Sequence, residues 1–346
     1  MRAPVAGACG AGLASASAFA RSAKPPGSGL RSTVPRIRLV QPPKQAIAVE
    51  PKGTRRWLDG AVEEGGGVVV PAEEAGALVW GHHADPAGLT AILEQHRQLT
   101  WVQLPWAGVE TYVDVIRRYG DRTWTCGKGV YAEPVAEHAL ALGLAGLRRI
   151  GSYARADTWG TGEGRNLLGA KVVVLGGGGI TESLLRLLGP FECDVTVVRR
   201  RQDALAGATV VPPGALDDVL PGTLLLVLAL ALTPETVGIV DAHRLRMLDP
   251  DGWVVNVARG PHVVTDDLVE VLAAGEIGGA ALDVTDPEPL PDGHPLWTEP
   301  RCIVTPHTAN TIAMAEPLLR TRVADNVRRW IAGDELVGPV DTDAGY

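Results

Sequence analysis

The stretch Lys171–Arg201 reads KVVVLGGGGITESLLRLLGPFECDVTVVRRR. An apolar run, Val172 to Leu175, leads into glycines 176–179, then into apolar residues at helical spacing, then into a second apolar run. That order predicts a strand, a tight turn, a helix and a second parallel strand. Gly176 and Gly178 take the first two places of a G-x-G-x-x-G fingerprint, where the missing Cβ permits a sharp turn and close approach of backbone to a pyrophosphate. The helix opening at Gly179 and Ile180 would aim its free amides at the phosphates. The third place holds Thr181 instead of glycine, which is expected to loosen packing of helix on strand.

The end of the second strand carries Arg199, Arg200 and Arg201, with no carboxylate before Asp203. An acidic residue at that place suits the ribose hydroxyls of NAD, whereas arginine suits the 2′-phosphate of NADP. Arg199 and Arg200 are therefore the expected phosphate clamp and NADP the expected cofactor, with NAD possible. A solvated basic loop is the plainer reading of the same residues.

With 346 residues, 46% of them hydrophobic and 21% charged, the chain can bury the cores of two domains. A net charge of −8 without a basic patch argues against nucleic acid as a partner. The longest apolar run, Leu224–Leu232, is too short to cross a bilayer and reads as a buried strand, so no membrane partner is expected. Cys9, Cys126, Cys193 and Cys302 have neither metal-ligand spacing nor the pattern of a disulfide framework. No metal site is expected, and a reducing cytoplasm is the simplest location.

Residues 1–45 are rich in Ala, Ser, Gly, Pro and Arg and contain no acidic residue, which predicts an unstructured extension; a transit-like or signal-like segment is the alternative. From Ala46, the apolar segments Ala46–Val49, Gly67–Val70, Ala77–Trp80 and Leu99–Leu104 alternate with helical patterns at Thr54–Glu64 and Pro86–His96. This predicts a small α/β layer structure with a largely parallel sheet. A second α/β region, residues 133–309, contains the glycine unit and strands at Leu224–Leu230, Gly252–Val257, Gly279–Asp283 and Cys302–Thr305. A final helical pattern, Ala313–Ala332, stops at Gly333 and is expected to return to the first region.

Seven blocks in order carry a resemblance: YAEPVAEHALAL (131–142), the glycine unit, LTPETVG (232–238), VNVARGPHVVTDDL (255–268), GGAALDVTDPEPLP (278–291), HPLWTEP (294–300) and TPHTANT (305–311). From about residue 46 onward the chain resembles the D-isomer-specific 2-hydroxyacid dehydrogenase family, and is most similar to its glyoxylate/hydroxypyruvate reductase branch. The resemblance implies an α/β fold of two domains: a Rossmann dinucleotide-binding domain, 133–309, inserted into a smaller flavodoxin-like α/β substrate domain, 46–132 and 310–346. It also implies a homodimer formed through the cofactor domain.

Reducing a 2-oxo acid requires a cation to hold the carboxylate and polarise the carbonyl, a proton donor and a hydride carrier. Arg259 offers the planar fork for the carboxylate, His307 can exchange a proton near neutral pH, and Glu288 can orient the imidazole. The resemblance makes these three the catalytic residues, carried over from the ARG, PH and EPLP motifs. Singly, each has a plainer reading, as a surface cation, a loop histidine and an acid in a proline-rich turn. It is their shared place at the ends of successive strands that points to a site.

By the same resemblance, Trp106, Ala107, Gly108 and Arg259 are expected to contact the substrate. Gly176, Gly178, Gly179, Ile180, Arg199, Arg200, Ala258, Asp283, His307 and Asn310 are expected to contact the cofactor, with Asp283 on the nicotinamide side. His82 and His83 are assigned to the surface, and Glu137 and His138 to structure. Ala231, where many members have proline, and Asn310, where glycine is frequent, depart from the family pattern near the nicotinamide pocket. The expected activity is NADPH-preferring reduction of glyoxylate, hydroxypyruvate or a similarly small 2-oxo acid. The alternatives are an NAD-linked dehydrogenase of a bulkier 2-hydroxy acid, and a dinucleotide-sensing binding protein on the same fold.

Overall fold

A computed structural model describes residues 42–341. The expected N-terminal extension lies outside them except for its last few residues. Two parallel sheets organise the chain. The first contains β1 (Ala46–Glu50), β2 (Val68–Val69), β3 (Ala77–Trp80), β4 (Trp101–Gln103) and β5 (Thr123–Thr125), in the order β2-β1-β3-β4-β5. That is the flavodoxin-like order.

The second sheet contains β6 (Lys171–Leu175), β7 (Asp194–Val198), β8 (Thr209–Val211), β9 (Leu225–Leu228), β10 (Trp253–Asn256), β11 (Gly279–Leu282) and β12 (Cys302–Val304). Its order, β12-β11-β10-β9-β6-β7-β8, is that of a doubly wound dinucleotide-binding sheet with one strand added beyond the usual six. The order reverses between β6 and β9, and ligands of open α/β sheets bind at such a switch point, beyond the carboxyl ends of the strands.

The apolar runs are continuous because both faces of each strand are covered. Val172, Val174, Leu225, Val227 and Val255 face one apolar layer, while Val173, Leu175, Leu226, Leu228 and Val254 face the other. The first of these layers also takes in Ile47, Val49 and Trp101 of the first sheet, so it is continuous with the packing of that sheet.

The last helix packs beside the first sheet. The helix Ile312–Ala332 is capped at its start by Thr311, whose side chain accepts from the Met314 amide, and is closed by Gly333 at φ 81°. Val327 packs at Gly65, Arg320 pairs with Glu64, and the buried Asn326 donates to Gln103 Oε1 at 2.8 Å. Thr125 Oγ1 donates to the same Gln103 oxygen at 2.8 Å, which ties the helix into β4 and β5. Strands β5 and β8 carry no periodic apolar signal, being three residues long at sheet edges. Among the described residues, no helix is long and apolar enough to cross a membrane.

Candidate active site

The turn after β6 is held open by its glycines. Gly176 has φ +100°, and a Cβ there would lie 2.3 Å from the Ala229 carbonyl at the end of β9. Only glycine accommodates both conditions. Beyond it the helix Gly179–Leu188 begins, and the amides of Gly177 and Gly178 donate to no acceptor among the described residues. Gly178 has open space on its Cβ side. These are the features of an anion cradle at a helix N-terminus. Thr181 departs from the expected loosening: it is fully buried, and its hydroxyl donates to the Gly176 carbonyl at 2.8 Å. A hydrogen bond thus replaces the close contact that a third glycine would make.

The arginine cluster divides. Arg199, expected in the phosphate clamp, is turned inward with 8% exposure; its guanidinium donates to the carbonyls of Gly177 (3.2 Å) and Asp203, and its Cδ fills the space beside Gly177. It braces the glycine loop from beneath, because the loop's carbonyls need donors that no strand supplies. Arg200 and Arg201, which follow it, are exposed.

The catalytic candidates lie at the carboxyl ends of adjacent strands. Arg259 follows β10, Glu288 follows β11 and His307 follows β12. His307 Nδ1 lies 2.7 Å from Glu288 Oε1, while Nε2 has no protein partner among the described residues. His307 adopts φ 52°, an uncommon left-handed conformation for a side-chain-bearing residue, and its amide bonds to the Asp283 carbonyl at 2.9 Å.

Asp283, expected on the nicotinamide side, has instead a side chain that is 1% exposed. Its carboxylate accepts from Thr305 Oγ1 (2.6 Å), the amides of Thr308 (2.8 Å) and Ala309 (3.0 Å), and pairs with His138 Nε2 at 3.3 Å. The loop bearing His307 is therefore folded around this carboxylate. Burial pushes the Asp283 carboxyl up, but the contacts from His138, Thr305 and the two amides outweigh it and hold the group at about 2.

A carboxyl so depressed contributes stability that is present above its unfolded value of 3.8 and is lost as pH falls toward 2. Asp283→Asn should lower stability at pH 7 by about 2 kcal/mol and flatten the loss between pH 4 and 2, as read by denaturant unfolding at each pH.

Ala258 and Asn256 shape the turn that carries Arg259: Asn256 Oδ1 accepts from the Ala258 amide at 3.0 Å and Nδ2 donates to the Arg259 carbonyl at 2.8 Å. Arg259 Nη1 donates to the Ala258 carbonyl at 2.7 Å. The other edge of the guanidinium crosses to Glu110, which follows β4 of the first sheet. The site therefore lies between the two sheets.

The loop Trp106–Gly108 leads into Glu110. The amides of Trp106, Ala107 and Gly108 donate to no acceptor among the described residues, and Gly108 lies beside Arg259, where a Cβ would sit 2.0 Å from Nη2. Trp106 packs against Tyr131, with ring centroids 5.8 Å apart and tilted by 52°, and against Arg55, whose guanidinium carbon is 4.7 Å from the ring centre. The Oδ1 of Asn310 is buried without a partner, an acceptor left open on the loop after His307.

Several contributors escaped the sequence reading. Glu110 and Arg55 meet their partners only through long-range folding, and His138, assigned to structure, finds Asp283 in the same way. His262 is fully buried, with Nδ1 3.0 Å from the Thr236 carbonyl and Nε2 3.3 Å from the Leu230 carbonyl. Burial pushes its pKa down, and it ties the loop around Ala231 to the Arg259 turn. Ala231 itself accepts from Thr236 Oγ1 at 2.9 Å. His82 and His83 stack on each other at 4.9 Å, and no cluster suited to a metal occurs among the described residues.

Residues 138–309 match the family model described as D-isomer specific 2-hydroxyacid dehydrogenase, NAD binding domain. An uncharacterized protein in the proB 3′ region of Corynebacterium melassecola is 36% identical over 255 residues, spanning 72% of this chain and 84% of that protein. Glyoxylate/hydroxypyruvate reductase A of Serratia proteamaculans is 32% identical over 265 residues, spanning 75% of this chain and 79% of that protein. The crystal structure of an NADPH-dependent glyoxylate/hydroxypyruvate reductase from Sinorhizobium meliloti, in complex with NADP and sulfate, aligns with a TM-score of 0.73 at 25% identity, covering 87% of this chain and 99% of that one. The sheet order, the glycine cradle and relatives matched over most of their length agree: the chain belongs to the D-isomer-specific 2-hydroxyacid dehydrogenase family of NAD(P)-dependent oxidoreductases.

Proposed function

We propose that the chain catalyses NADPH-preferring reduction of a small 2-oxo acid, of the glyoxylate or hydroxypyruvate class, to the 2-hydroxy acid. The observation that carries this reading is the His307–Glu288 pair at 2.7 Å, on strand ends next to that of Arg259. The names of the Serratia and Sinorhizobium relatives support the substrate class.

The residues present fit a dinucleotide. A Cβ would block the cradle at Gly176, the amides of Gly177 and Gly178 are open, and Asn310 Oδ1 is an unsatisfied buried acceptor of the kind a carboxamide N–H would satisfy. Gly176, Gly178, Gly179 and Ile180 would hold the pyrophosphate, Ala258 and Asn310 the nicotinamide end, and Arg200 with Arg201 the 2′-phosphate. Asp283 acts on that end by holding the His307 loop. When bound, NADPH supplies the hydride.

The protein's own part follows from charge and geometry. Arg259 binds the substrate carboxylate together with the amides of Trp106–Gly108, and its positive charge polarises the adjacent carbonyl. Glu288 accepts from Nδ1 of His307 and so leaves Nε2 to deliver the proton to the developing alkoxide. Closure of the first sheet's loops over the second sheet's strand ends excludes water from this cleft. The reading includes a homodimer, supported by the apolar side chains of Ile150, Tyr153 and Trp159 exposed on the segment leading to β6.

Absorbance assays of NADPH and NADH oxidation across glyoxylate, hydroxypyruvate, pyruvate and larger 2-oxo acids test the reading. Cofactor binding without turnover of any of them would favour the sensing role instead. Neutralising Arg200 and Arg201 together should raise KM for NADPH about tenfold or more and spare NADH, since each charge-assisted phosphate contact is worth about 1.5–3 kcal/mol. Arg199→Gln should weaken both cofactors alike, because Arg199 acts through the glycine loop. Equal loss of both cofactors on neutralising Arg200 and Arg201 would remove the clamp from the proposal.

A further inference from the structure

The guanidinium of Arg259 presents two edges. Nη1 is held by the Ala258 carbonyl at 2.7 Å, which orients the group from within its own turn. Nε and Nη2 face Glu110, 3.2 Å from Oε1 and 3.5 Å from Oε2. Two roughly parallel N–H···O contacts from one guanidinium edge are the arrangement in which arginine takes a carboxylate. That is the edge the substrate carboxylate requires.

We propose that Glu110 is a built-in competitor for this edge, so that substrate binds by exchanging its carboxylate for that of Glu110 and Glu110 thereby sets KM. The inference rests on the reductase reading above and adds a specificity-determining residue to it.

One edge of a guanidinium accommodates one bidentate carboxylate, so occupation by Glu110 and by substrate exclude each other. The existing pair is easily displaced. Its side chains are 35% and 42% exposed, and its contacts are longer than those of tight charge-assisted pairs, which places it among the weak exposed ion pairs.

The pair also lies over the loop that offers the substrate its amides. A Cβ on Gly108 would fall 2.0 Å from Arg259 Nη2 and 2.4 Å from Glu110 Oε2. Glu110 opens the short 3-10 turn Glu110–Tyr112, so rotation of its side chain toward solvent releases the edge without unfolding anything. Arg259 does not need Glu110 for its orientation, because the Ala258 carbonyl remains. A pure brace would behave in the opposite way: its removal would disorder Arg259 and weaken substrate binding.

The test compares the full chain with Glu110→Gln, nearly isosteric but uncharged, and Glu110→Ala. KM for glyoxylate at saturating NADPH and inhibition by oxamate, an unreactive 2-oxo acid analogue, are measured for all three, with thermal unfolding to verify folding. Both variants should lower KM and the oxamate inhibition constant about two- to fivefold, the range an exposed ion pair supports. Unchanged or raised values in folded variants of an active enzyme would overturn the exchange and leave the reductase reading standing. A wild-type protein that neither reduces 2-oxo acids nor binds oxamate would overturn both.

Discussion

Replacing His307 with Asn should reduce 2-oxo acid turnover by about 10²- to 10⁴-fold, the range that a positioned general acid contributes. Asn is the informative replacement because the backbone at this position is left-handed, with φ 52°, a region that Asn tolerates better than Ala. The loop held by Asp283 should therefore keep its shape, and NADPH binding, read by fluorescence titration, should stay within about threefold of wild type. The proton would then have to come from water, without the orientation that the Glu288 contact at 2.7 Å provides. Turnover above a tenth of the wild-type value would remove His307 from the mechanism.

Arg259→Ala should lower kcat/KM by about 10²- to 10⁴-fold. The loss is that of two charge-assisted hydrogen bonds, about 1.5–3 kcal/mol each, at about 1.4 kcal/mol per decade. The guanidinium is the cation between Glu110 and the Trp106–Gly108 loop, so nothing else on that strand end replaces its charge. Lysine should restore only part of the activity, since a point charge lacks the two-toothed geometry. If kcat/KM for Arg259→Ala stays within tenfold of wild type, the carboxylate is held elsewhere.

Much of the fold was legible in the chain because the second sheet is buried on both faces. Its strands appear as apolar runs broken by glycine, and β11 begins at the residue that this pattern indicates, Gly279, as does β3 of the first sheet at Ala77. Strands β5 and β8 were not legible, since TWT and TVV at a sheet edge carry no period to read. Their pairing is decided by neighbours already in place.

The site divides in the same manner. Arg259, Glu288 and His307 stand out because each follows a readable strand, and parallel strands deliver their carboxyl ends to one side of a sheet. Arg199 shows the limit of such reasoning. Position in the chain puts it beside Arg200, but the pleat turns successive side chains to opposite faces, and the inward one is taken up by the carbonyls of Gly177 and Asp203.

The sequence alone determined that the chain builds a dinucleotide cradle ahead of three catalytic candidates, because local geometry and strand order depend on short-range pattern. Tertiary structure decided which polar groups meet. Glu110 lies 149 residues from Arg259 and 3.2 Å away in space. His138 reaches Asp283, and Asn326 lies 223 residues from the Gln103 it binds. Such contacts have no period and no motif, since they arise from where packed elements happen to bring single side chains. In the stretch Lys171–Arg201, the glycines and strands were read from the sequence, and the direction in which each arginine points was decided by the fold.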